Sequence, residues 1–102
     1  MQNYKNQSFS TLLKAIASLQ TPEECGAFFE DLCTIKELQD MSQRLEAAIL
    51  LDRKCSYQQV SAEVGISAAT ICRVSRCLNY GSGGYRIALD RLNETENEEN
   101  DN

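Results

Sequence analysis

The side chains best suited to chemistry stand together between Ser67 and Arg76, and the chemistry they suit is recognition rather than bond-making. Arg73 and Arg76 carry planar guanidinium groups of the kind that grip phosphate oxygens or a guanine edge. Ser67 and Thr70 offer hydroxyls, while Ala68 and Ala69 are small enough to allow close approach and to touch thymine methyl groups. This set fits double-stranded DNA. It is poor in long hydrogen-bonding readers, so water and DNA shape are expected to carry part of the specificity. Bond-making chemistry is poorly served. The chain has no histidine, no glycine loop between a strand and a helix to cradle phosphate, and no recognisable triad, so it does not read as an enzyme.

Those side chains need a rigid mount. Residues 57–76, YQQVSAEVGISAATICRVSR, read as a helix-turn-helix that extends over about 56–78. Ser56 with Gln59 makes a capping box for the first helix, and Val60 and Val64 give it apolar contacts with small Ser61 between them. Gly65 stands at the turn, where a positive φ is easiest for glycine. Ile66 plugs the corner and Ser67 caps the second helix, in which Ile71, Val74 and Leu78 recur at helical spacing. With those three turned inward, Ser67, Ala68, Ala69, Thr70, Cys72, Arg73 and Arg76 share the outer arc, as a recognition helix requires. The same pattern also suits a plain helix pair in a protein-interaction module, whose acidic surface would engage a basic partner. Binding to DNA that barely responds to salt would mark that alternative.

Upstream, Phe9, Leu12, Leu13, Ile16 and Leu19 predict an amphipathic helix over about 8–19. Thr21-Pro22-Glu23-Glu24 opens a second helix with the stripe Cys25, Phe28, Phe29 and Leu32. Thr34 to Glu37 repeats the capping signal and opens a long third helix to about Arg53, with Leu38, Met41, Leu45, Ala48 and Ile49 on its main face. Ala47, Leu50 and Leu51 add a second apolar surface near its end, and a helix apolar on several sides needs more than one neighbour. A small all-α chain has few to offer, which points to a homodimer. After the break Asn79–Gly84, a short last helix is predicted over about 85–92.

Net charge is −5, an unpromising total for a DNA binder until it is mapped. Glu94, Glu96, Glu98, Glu99 and Asp101 stand without a base in residues 94–102, which read as a disordered acidic tail behind one domain of residues 1–93. Between 53 and 93, Arg53, Lys54, Arg73, Arg76, Arg86 and Arg91 face only Glu63 and Asp90, so positive charge gathers around the helix-turn-helix. The 5 cysteines form no C-x-x-C pair and have no histidine beside them, which argues against a zinc site and for reduced thiols in the cytoplasm. No apolar run is long enough for a membrane span.

From about Thr34 to Leu92 these residues resemble the tryptophan-repressor (TrpR) superfamily, in its YerC/YecD-like branch. The match is most specific from Ser56 through Gly65 to Ala69-Thr70-Ile71 and Arg73. The resemblance implies a six-helix, all-α fold, an intertwined homodimer with one reading head at each end, and a transcriptional regulator on a palindromic operator. It also implies a pocket for a small co-repressor, in which Thr34, Arg44, Arg73 and Cys77 occupy the matching positions. The two arginines suit a carboxylate and a flat ring. Val74 stands where the tryptophan repressor has a glycine beside the indole, and Cys77 where it has a serine for the ligand's amino group. Those departures count against tryptophan and leave open another small effector or none, with no other cofactor implied.

Overall fold

The structure, a computed structural model, describes residues 6–100, with side chains described from 6 to 97. Among them are six helices and no strand: α1 (Gln7–Ser18), α2 (Pro22–Leu32), α3 (Ile35–Asp52), α4 (Tyr57–Val64), α5 (Ala68–Tyr80) and α6 (Gly84–Asn100). The chain divides into two compact units, Met1–Leu38 and Gln39–Asn102, the division falling inside α3.

In the first unit the helix starts are set by polar side chains. Asn6 accepts the Phe9 N–H at 3.0 Å, and Thr21 accepts the Glu24 N–H at 3.1 Å with Pro22 at the first helical position. Glu24 returns the bond by accepting the Gln20 N–H at 2.8 Å. Thr34 and Glu37 form a reciprocal box at 3.1 and 2.8 Å. Phe28 and Phe29 meet edge to face, their centroids 5.7 Å apart. Neither α1 nor α2 buries a residue, and Leu32 and Ile35 remain 51% and 77% exposed.

Every fully buried residue among those described belongs to the second unit. Ala47 and Ala48 of α3, Val60 and Val64 of α4, Ile71 and Val74 of α5 and Leu89 of α6 form one cluster. Ile49, Leu50, Leu51, Cys55, Ile66, Leu78 and Tyr85 pack around it. The second apolar surface predicted for α3 is thus enclosed in good part inside this unit: Ala47 is buried, and Leu50 and Leu51 lie against the core.

α3 closes with a Schellman arrangement. The Cys55 N–H reaches the Leu50 carbonyl at 3.1 Å and the Lys54 N–H the Leu51 carbonyl at 3.0 Å. Lys54 takes the left-handed position at φ 70°, where glycine is the usual occupant.

The last helix corrects the sequence reading. It runs from Gly84 to Asn100, past the predicted end at Leu92 and through most of the stretch expected to be disordered. Glutamate is a good helix former, and two contacts favour the extension. The Thr95 hydroxyl donates to the Arg91 carbonyl at 3.1 Å, and Glu96 meets Arg53 at 3.7 Å. Residues 101 and 102 of the expected tail lie outside the described residues. No helix among the described residues is long and apolar enough to cross a membrane.

Candidate nucleic-acid interface

α4, the turn and α5 build the site from backbone chemistry outward. Ser56 accepts the Gln59 N–H at 3.1 Å while Gln59 accepts the Ser56 N–H at 2.7 Å, so α4 starts on a closed capping box. Gly65 ends it at φ 79°, its N–H bonded to the Ser61 carbonyl at 2.9 Å. A side chain at Gly65 would meet nothing within 4 Å, so the glycine is there for its backbone conformation and not for space. One tie had no signal in the sequence: the Ser61 hydroxyl donates to the Ile66 carbonyl at 3.1 Å, pinning the turn to α4.

Ser67 then caps α5, accepting the Thr70 N–H at 3.2 Å, and the two hydroxyls share a further bond at 3.0 Å. Ser67, Ala68, Ala69, Cys72, Arg73 and Arg76 are exposed as the helical spacing predicts. Thr70 is half-buried and its hydroxyl already has a partner, so it presents less to a ligand than the outer arc implies. Behind the arc, Ile71 and Val74 are buried and α5 packs against both α4 and α6. Arg73 and Arg76 take part in no ion pair among the described residues. The Arg76 guanidinium has only a 3.9 Å contact with the Cys72 sulfur on its own helix.

Two of the other basic residues, Arg86 and Arg53, are paired with carboxylates. Arg86 holds both carboxylate oxygens of Asp52 at 2.8 and 2.9 Å and Asp90 at 3.0 Å, and Arg53 faces Glu96. The hydrogen bond from Arg86 keeps the Asp52 carboxyl below its ordinary pKa of 3.8, partial burial opposing it, and the same contact raises Arg86. A carboxyl with a lower pKa folded than unfolded stabilises the fold above its unfolded value and loses that contribution as pH falls through the folded one. Arg86→Gln should therefore lower the melting temperature near neutral pH, and the difference from wild type should shrink as Asp52 protonates. Thermal melts across the acid range check this, and a gap that does not shrink would count against the ionic pair.

The residues that the resemblance places at an effector pocket are divided between the two units. Thr34 belongs to the first unit, where its hydroxyl serves the α3 cap. In the second unit Arg44 lies half-buried on α3, Arg73 is exposed, and Cys77 is half-buried further along α5. No hydrogen bond or ion pair joins these three among the described residues. A polar cleft of about 380 Å³, lined by residues including Lys54, Tyr57, Ser75, Asn79 and Arg86, opens on another flank of α5. No group of three or more histidine, cysteine, aspartate or glutamate side chains among the described residues is placed to hold a metal ion.

Comparison with known proteins agrees with this geometry. The model of a family described as Trp repressor protein matches residues 7–93. The uncharacterized protein YerC of Bacillus subtilis (strain 168) is 49% identical over 94 residues, spanning 92% of this chain and 90% of its own. A TrpR-like protein from Eubacterium eligens ATCC 27750 superposes with a TM-score of 0.85 at 42% identity, covering 91% of this chain and 96% of its own. A candidate Trp repressor from Staphylococcus aureus gives 0.84 at 40% identity, with 90% and 92% covered.

Proposed function

Because this chain belongs to the Trp repressor family, we propose that it is a sequence-specific, non-enzymatic DNA-binding regulator of transcription, acting in the cytoplasm as a repressor. It binds a palindromic operator as a homodimer. The observation that carries this reading is the outer arc of α5. Two exposed arginines without ion-pair partners among the described residues stand beside small residues at the start of a helix whose other face is locked into a core. The homodimer is supported by α1 and α2, which keep amphipathic faces yet bury nothing in the single chain. In this reading tryptophan is not the co-repressor. Val74 is buried in the core at the position where, by the resemblance, the tryptophan repressor has a glycine beside the indole, and the Cys77 thiol is a weak hydrogen-bond partner.

Selection of random duplex DNA by the purified protein, with and without L-tryptophan, tests this reading. Enrichment of one palindromic motif in both arms is the expected result, with half-sites spaced by about one helical turn, roughly 10 base pairs, or a multiple. Enrichment only with tryptophan would overturn the exclusion of that ligand. No enrichment in either arm, with a DNA affinity insensitive to salt, would favour the protein-interaction module instead.

A further inference from the structure

We propose that Tyr80 is a DNA contact, its hydroxyl donating to a backbone phosphate at the edge of the groove that α5 enters; this rests on the DNA-binding reading above. Tyr80 is the last residue of α5 and is 87% exposed. Tyrosine usually buries its ring and finds its hydroxyl a partner. This hydroxyl has none among the described residues, so neither the core nor a neighbouring polar group accounts for the side chain.

Its direction supports the assignment. At about 100° per residue, Tyr80 projects within about 20° of Ala69 and of Arg73 and about 40° from Arg76. It therefore continues the outer stripe, about 6 Å beyond Arg76 along the axis. The residues around it leave it clear. Asn79 turns its amide back to the Ser75 carbonyl at 2.9 Å, and Gly81, whose N–H caps the Cys77 carbonyl, ends the helix. A Cβ at Gly81 would run into that same carbonyl, so glycine is required at this stop. Only Gly81, Ser82 and Gly83 stand between Tyr80 and α6, and none has a side chain large enough to cover the ring.

Depth decides which part of DNA it meets. The major groove is about 8.5 Å deep, and a recognition helix offers its N-terminal residues to the bases. A side chain three turns further along lies at the level of the sugar–phosphate backbone, where tyrosine hydroxyls are common donors. The contact is neutral, so it adds affinity without releasing a counterion.

The test is the affinity of the full chain for a mixed-sequence duplex, titrated over a range of salt, for Tyr80→Phe, Tyr80→Ala and Arg76→Ala. Tyr80→Phe should weaken binding by about 3- to 30-fold and Tyr80→Ala at least as much, both with the wild-type salt slope. Arg76→Ala should lower the slope by about one. Tyr80→Phe at wild-type affinity overturns the phosphate contact, whatever Tyr80→Ala does. If Arg76→Ala still weakens binding in that case, the DNA-binding reading stands; if no variant changes affinity or slope, that reading falls too. The substituted residue is exposed, so circular dichroism should show an unchanged fold.

Discussion

Arg73→Ala is expected to weaken binding of the selected operator by roughly 10- to 100-fold, about 1–3 kcal/mol, while the thermal melt stays where it was. The two halves of that expectation have separate causes. Arg73 is exposed and has no ion-pair partner among the described residues, so its loss leaves no buried group unsatisfied and opens no cavity. Its guanidinium stands on the arc that the buried pair Ile71 and Val74 aims outward, so the cost falls on the complex alone. Binding measured by anisotropy beside a melt separates the two. Unchanged affinity would remove Arg73 from the interface.

Ile71→Ala should do the reverse. Ile71 is fully enclosed among Ala47, Ala48, Val60, Val64, Val74 and Leu89, and truncation there leaves a cavity whose walls belong to packed helices. Losses of about 2–5 kcal/mol are typical of such changes, against a total of about 5–15 kcal/mol for a small domain. The variant should unfold at much lower denaturant and lose DNA binding with the fold. A melt close to wild type would show that α5 is not anchored by this side chain.

The helix-turn-helix is legible in the sequence because its signals are local. The Ser56–Gln59 box, the left-handed Gly65 and the Ser67 cap each depend on residues within four positions of one another, and side-chain spacing assigns Ile71 and Val74 inward. What escaped were the contacts between residues far apart in the chain. Asp52 and Arg86 are 34 residues apart, and no spacing rule announces their pairing. The extension of α6 was missed for a related reason. Its residues after Leu92 have no apolar stripe, and it gains the Arg53–Glu96 contact only once α3 and α6 share a fold. Thr70 was placed on the outer arc by its position alone, yet its hydroxyl turns to the cap. Among the candidate site residues, those named for DNA read more clearly than Thr34, Arg44 and Cys77. The former share one helix and its cap, whereas the latter must be brought together by tertiary structure.

The closure of α3 at Lys54 bears on how such a chain can diversify. Two backbone hydrogen bonds make that joint, and they ask of the sequence only one residue tolerant of a left-handed conformation. A joint written in main-chain atoms keeps its angle when neighbouring side chains drift. A different outer arc set after Cys55 would arrive at the same inclination provided that α4 and α5 kept their packing against Ala47, Ala48 and Leu89. The exposed arc of α5 is thereby separate from the main-chain joint that aims it, so a change in one need not disturb the other.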